Sequence, residues 1–131
     1  MIGLDANILV RFVTQDDPVQ SRYADEIMQS LSAKEPGWIS LTALAELVWV
    51  MTRKFRASRT RIESLLEALL AREEIVIEQS DLVHRAINQY RIGTADFSDY
   101  LIACAAQAAG CRRTLTFDRK AAKSAGMTLY P

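Results

Sequence analysis

Met1-Ile2-Gly3-Leu4-Asp5-Ala6-Asn7-Ile8-Leu9-Val10 is the stretch whose reading decides the fold. A short apolar run ends in an acid, and an apolar segment with helical spacing begins directly after it. Ile2–Leu4 is expected to be a short buried strand and Ala6–Val13 a helix, which puts Asp5 at a strand's C-terminal end. In an open α/β sheet, ligands and reacting groups collect at that end. The far end of the chain repeats the arrangement, with Thr114-Leu115-Thr116-Phe117 leading into Asp118.

The chain between them alternates helices and strands. Asp17 is a good N-cap with Pro18 at the first helical position, and the helix runs to about Ser32 on a stripe of Val19, Tyr23, Ile27, Met28 and Leu31. Gly37–Ser40 reads as the second strand. Thr42 caps a helix from Ala43 to Phe55, and Ser58 caps another in which Ile62, Leu65, Leu66, Leu69 and Leu70 share one face. Ile75–Ile77 is the third strand. Ser80 and Asp81 open a helix through Val83, Ile87 and Tyr90 that ends before Gly93. Asp96 or Ser98 starts an Ala-rich helix to about Ala109, stopped by Gly110. Leu115–Phe117, a short helix over Asp118–Ala125 and a fifth strand at Met127–Leu129 complete the chain. Strands separated by helices pair in parallel through right-handed crossovers. The expected architecture is one domain, 1–131: a three-layer α/β/α sandwich around a mainly parallel central sheet of four to five strands.

Composition narrows the class. The chain has 131 residues, 50% hydrophobic and 24% charged, which is ordinary for a globular domain large enough to bury a core. No apolar run approaches the roughly 18–20 residues that span a bilayer, and no basic leader precedes the first strand, so a cytoplasmic protein without membrane contact is expected. Cys104 and Cys111 have neither zinc nor C-x-x-C spacing, and His84 is the one histidine, so both cysteines read as buried, reduced thiols. Trp38, Trp49 and Tyr23 read as core residues.

Two further acids stand inside apolar segments. Glu46 lies in Leu41-Thr-Ala-Leu-Ala-Glu-Leu-Val-Trp-Val-Met51, a helix expected to be buried most of the way round. An ionised carboxylate there costs several kcal/mol unless a cation or hydrogen bonds compensate. The alternatives are an ion pair with an arginine or a narrow exposed face. Asp99 occupies the first turn of Ser98-Asp-Tyr-Leu-Ile-Ala-Cys, where Ile102 and Ala103 put it on the packed face; equally, an acid in a first turn complements the helix dipole. Asp96, three residues earlier, is either the cap of that helix or an outer-shell ligand. Asp5 and Asp118 each have the alternative of being N-caps only. Asn7 is placed to orient a neighbouring carboxylate.

Four convergent carboxylates cannot all stay ionised without a cation. Mg²⁺ or Mn²⁺ fits, since hard ions take carboxylate oxygens. Such a site activates water and clamps a phosphate in line for phosphodiester hydrolysis. The formal charge of zero leaves any nucleic-acid contact to local patches. Arg53, Lys54, Arg56, Arg59 and Arg61 form an acid-free patch at a helix junction, read either as a guide for an RNA backbone or as a solvated turn. Arg11, Arg112, Arg113, Arg119 and Lys120 are candidates for a basic rim near the acids.

Four segments in order, Gly3-Leu4-Asp5-Ala6-Asn7-Ile8-Leu9-Val10, Leu44-Ala45-Glu46-Leu47-Val48-Trp49-Val50, Ala95-Asp96-Phe97-Ser98-Asp99-Tyr100-Leu101-Ile102-Ala103 and Leu115-Thr116-Phe117-Asp118, resemble a PIN-domain ribonuclease of the VapC toxin type. The resemblance covers essentially the whole chain. It implies a PIN-like fold, metal-ligand acids at Asp5, Glu46, Asp99 and Asp118, an extra acid at Asp96, and supporting roles for Asn7 and Thr116. It also implies endonucleolytic RNA cleavage, a cognate antitoxin and a homodimer. The chain departs from the usual motifs at Ala6, where a threonine is common, and at Tyr100-Leu101, where Ala-Leu is common. Other readings are a non-catalytic PIN-fold interaction module and a PIN-like nuclease in RNA processing without an antitoxin. A haloacid-dehalogenase-like phosphatase would want an acid two residues after Asp5, where Asn7 stands.

Overall fold

The computed structural model describes residues 1–131. In chain order it contains β1 (Ile2–Gly3), α1 (Ala6–Thr14), α2 (Pro18–Ser30), β2 (Gly37–Ile39), α3 (Leu41–Arg53), α4 (Arg59–Ala71), β3 (Ile75–Ile77), α5 (Ser80–Ile92), α6 (Phe97–Ala108), β4 (Leu115–Thr116), α7 (Arg119–Ser124) and β5 (Thr128–Leu129). Parallel strands alternate with helices, so the chain is α/β. It divides into two compact units, Met1–Glu78 and Gln79–Pro131. No helix is long and apolar enough to cross a membrane.

In the first unit β1, β2 and β3 pair side by side, with Ile2 opposite Gly37 and Gly37 opposite Ile75. Gly37 lies close to the core, and a Cβ there would stand 2.7 Å from Leu4 Cδ1 and 2.8 Å from Leu31 Cδ1, so those leucine ends would have to shift. Helix α1 packs on α2 and α3. Leu9, Ile39, Leu44, Leu47, Ile62 and Leu66 are fully enclosed and form the core of this unit. Caps set the helix starts. Asp17 Oδ1 accepts from the N–H groups of Val19 and Gln20 at 3.1 and 2.9 Å, and Ser58 Oγ accepts from Arg61 N–H at 3.1 Å.

In the second unit α5 packs along α6, and the core is aromatic. Tyr90 meets Phe97 and Tyr100 edge to face, with ring centroids 5.7 and 6.3 Å apart. Such pairs add to area burial because the positive ring edge meets the negative face. Strands β4 and β5 form a separate parallel ladder, held by Thr128 N–H on Thr114 O at 2.7 Å and Tyr130 N–H on Thr116 O at 2.9 Å.

Several expectations need correction. The single sheet of four to five strands is instead a three-stranded and a two-stranded ladder. Two-residue strands offer few ladder bonds, and β4 spends its own on β5. Strand β1 is not buried, for Ile2 and Gly3 are exposed and only Leu4 is enclosed. The α2 stripe is rotated: Val19 and Tyr23 face solvent, while Ser21, Ala24 and Met28 are buried. Ser21 Oγ donates to Arg11 O at 3.1 Å, so small residues let α2 sit close on α1. The α3 cap is Ser40, whose Oγ accepts from Ala43 N–H at 3.0 Å, not Thr42. Trp49, expected in the core, is 61% exposed. Cys104 is a buried free thiol, but Cys111 is exposed.

Leu9→Ala is expected to cost about 2–5 kcal/mol in urea unfolding, from lost burial plus the cavity left behind. Ile92→Ala, at a side chain 87% exposed, should change stability by less than about 0.5 kcal/mol. Asp16 supplies a pH test. A hydrogen bond from Thr14 and the charge of Arg11, 3.1 Å away, hold its carboxyl below the ordinary 3.8 against some desolvation. Folding therefore favours the charged form, a contribution present above 3.8 and lost as pH falls through the lower folded value. Asp16→Asn is expected to flatten the acid limb of the stability curve, read as denaturation midpoint against pH.

Candidate functional site

Three of the five candidate acids belong to the second unit. Asp96 is the N-cap of α6, and its backbone N–H donates to Asp99 Oδ2 at 3.3 Å, the returning half of a capping box. Asp99 is half-buried by its position at the third residue of that helix. Burial is the main force pushing its carboxyl above the usual range. The Asp96 N–H works against this, the charges of Asp96 and Asp118 push the same way as burial, and Lys120 opposes them. Asp118 caps α7, its Oδ1 accepting from the N–H groups of Lys120 and Ala121 at 2.8 and 3.2 Å. Thr116 Oγ1 accepts from Asp118 N–H at 3.0 Å, which bends the chain into the α7 start. Asp96 and Asp99 are therefore tied to each other at the start of α6, and Asp118 stands at the start of α7.

A hard cation takes carboxylate oxygens, though no three of these acids are arranged to hold one. Only oxygen donors are offered, and Asp118 spends one of its two oxygens on the cap.

The remaining candidates belong to the first unit. Asp5 is the N-cap residue of α1 in extended geometry, yet its side chain makes no capping hydrogen bond. Its carboxylate and the Asn7 side chain are both exposed. Glu46 differs from expectation. Helix α3 buries Ala43, Leu44, Leu47, Val48 and Met51, and Glu46 lies on the exposed face with Thr42 and Trp49. It is neither a carboxylate trapped in a core nor one partner of an ion pair. The high apolar content of α3 hid a narrow polar face, because Trp49 and Thr42 count as apolar or neutral in the sequence while standing in water. The same holds for Asp99: Ile102 is exposed, and the packed face of α6 is Phe97, Tyr100, Leu101 and Cys104. No three of the chain's Asp, Glu, Cys and His side chains are arranged to hold a metal ion.

Arg53, Lys54, Arg56, Arg59, Arg61 and Arg119 are all exposed. Lys54 Nζ lies 5.5 Å from the Phe55 ring centroid, and Arg56 has a positive φ of 53° that turns the chain between α3 and α4. Arg11 is not a free rim base. It donates to Gln20 at 2.8 Å and to both carboxylate oxygens of Asp16 at 3.1 and 3.2 Å. Arg112 and Arg113 line, with Lys123, an open pocket of about 660 Å³ that contains none of the candidate acids.

Sequence reasoning passed over Ser124 and used Gly93 only as the end of a helix. It noted Tyr100 only as a departure from the family motif. The available signal was chemical: a tyrosine within the apolar run of α6 needs a partner for its hydroxyl if buried. The structure supplies Ser124 Oγ at 2.6 Å and Ala95 N–H at 3.1 Å.

A family model for the PIN domain matches residues 2–126. A search of curated proteins finds no match. Among solved structures, the chain is similar to the crystal structure of Mycobacterium tuberculosis VapC20, described as a Sarcin-Ricin loop cleaving toxin. Identity is 16%, coverage is 98% of this chain and 97% of that one, and the TM-score is 0.46. PIN domains are typically nucleases and generally use divalent metals. With 2–126 of 131 residues matched, the chain belongs to the PIN-domain family.

Proposed function

We propose that this protein is a Mg²⁺- or Mn²⁺-dependent endoribonuclease acting as the toxin of a toxin–antitoxin pair. The observation that carries the reading is the PIN-domain match over residues 2–126. Membership of a typically nuclease family and the four motif segments in order support it.

In this reading Asp5, Glu46, Asp99 and Asp118 hold the cation, and Asp96 acts from the outer shell. The metal, when bound, acts as a Lewis acid on water and offsets charge on the scissile phosphate. Thr116 steadies Asp118 through its backbone N–H. Asn7, the second residue of α1, orients Asp5. The exposed bases of the α3–α4 junction and Arg119 hold the RNA backbone, an attraction that weakens with added salt. A homodimer lengthens this contact surface, and the cognate antitoxin silences the enzyme by covering the acids.

The decisive test is cleavage of total RNA by purified protein with Mg²⁺ or Mn²⁺, then with EDTA. Cutting should require metal, and Asp5→Asn or Asp99→Asn should abolish it while circular dichroism stays native. Wild-type cleavage by either variant would sink the assignment of that acid, and no metal binding at all would favour a non-catalytic interaction module. Induced expression should arrest growth, with Asp99→Asn relieving the arrest. Cleavage without arrest would place the nuclease in RNA processing instead. Glu46→Gln makes a separate prediction from its exposed position. Apo stability should move by less than about 0.5 kcal/mol, while metal-dependent cleavage is lost.

A further inference from the structure

The open pocket of about 660 Å³ lies wholly within the second unit and has no part in the cleavage proposed above. Helices α5, α6 and α7 each bring their last turn to it, through Gln89, Gln107 and Lys123. Gly110, at a φ of 89°, stops α6, and Cys111 N–H donates back to Ala106 O at 2.9 Å. Arg112 and Arg113 follow directly and line the pocket. Gly93 forms part of the wall. A Cβ there would collide with the Tyr100 hydroxyl and stand 2.6 Å from Ser124 Oγ.

The lining holds three cations and no acid. Arg112, Arg113 and Lys123 take part in no ion pair, and Asp118 is the one acid in residues 100–131. Some of that charge answers the helices. Each helix end carries about half a negative charge on its last carbonyls, so three ends leave an excess of about 1.5 positive charges. A phosphate monoester carries about −1.5 to −2 at neutral pH and balances that excess, where a triphosphate overshoots it. Ser124, also in the lining, adds a donor. Tyr100 is fully enclosed, and its hydroxyl accepts from Ala95 N–H at 3.1 Å and meets Ser124 Oγ at 2.6 Å. A buried hydroxyl proton needs an acceptor, and Ser124 Oγ is the one within reach. Ser124 Oγ then accepts from Tyr100 and, at 2.8 Å, from Thr94 N–H, which leaves its own proton for the pocket.

We propose that this pocket binds a nucleoside monophosphate, with its phosphate on Arg112, Arg113 and Lys123 and its sugar and base against Gln89, Gln107 and the helix-end carbonyls. Size argues for the organic part, since about 660 Å³ falls within the roughly 300–1,000 Å³ of small-molecule sites and a bare phosphate fills little of it. Polarity argues the same way. The two carboxamides both donate and accept, and the carbonyls accept, which matches the hydroxyl and N–H groups of a nucleoside. An inorganic anion uses none of those acceptors. The Ser124 hydroxyl donates to a phosphate oxygen. None of the candidate acids lines the pocket, so the proposal stands independently of the metal-dependent reading.

The experiment is calorimetric titration of the full chain with each of the four 5′-ribonucleoside monophosphates and with inorganic phosphate, at neutral pH and low salt. EDTA is present throughout, so that no metal-held nucleotide contributes. At least one nucleotide is expected to bind at a single site, with inorganic phosphate weaker by roughly tenfold or more. Arg112→Ala, Arg113→Ala and Lys123→Ala replace exposed side chains, so each should keep a native circular dichroism spectrum. Each is expected to weaken nucleotide binding by roughly tenfold. Lys34→Ala, at an exposed lysine of the first unit, should bind as wild type. Binding of no nucleotide, or wild-type affinity in all three pocket variants, would overturn the proposal. Inorganic phosphate binding as tightly as the best nucleotide would overturn the nucleoside assignment. A loss in Lys34→Ala equal to that of the pocket variants would reduce the binding to diffuse charge and overturn the site.

Discussion

An acid at the start of a helix is claimed first by the helix. The opening N–H groups of α1, α6 and α7 have no intrahelical partner, and Asp5, Asp96 and Asp118 stand at the three N-caps. How far each carboxylate is consumed by that duty determines what it has left for a ligand. Asp118 gives one oxygen to two N–H groups, and Asp99 gives one to the Asp96 N–H. Asp5 gives none. The same backbone geometry that makes these residues good caps puts each of them at a helix start, where a positive dipole end tolerates negative charge.

That tolerance has a limit at Asp99. Half-burial removes water from its carboxyl while Asp96 and Asp118 add like charge, and Lys120 only partly offsets them. Both effects favour the protonated carboxyl, burial more than the neighbouring charges. The bond from Tyr100 to Ser124 joins the end of α7 to the first turn of α6.

Helix positions were legible because their signals are local. Asp17-Pro18 and Ser58 mark starts through a cap that needs only the next three residues, and Gly110 marks a stop through its φ of 89°. Burial was less legible where composition was read in place of geometry. The α3 segment is apolar enough to suggest a helix enclosed all round, yet Trp49 and Glu46 share a solvent face. In α2, Val19 and Tyr23 have helical spacing, but Ser21 and Ala24 make the contact because their small side chains let two helices approach. Spacing identifies a stripe and does not say which stripe faces inward.

By itself the sequence determined the alternation of strand and helix, the caps, and the order of Asp5, Glu46, Asp96, Asp99 and Asp118 along the chain. Each of these depends on residues within a few positions of one another. Tertiary structure decided which of those acids stand free, which are spent on caps, and how the ladders divide into β1–β2–β3 and β4–β5. It also decided that Gly93, Tyr100 and Ser124 belong together. A hydrogen bond between side chains 24 positions apart has no periodicity to betray it. It exists only because packing brings α6 and α7 within reach.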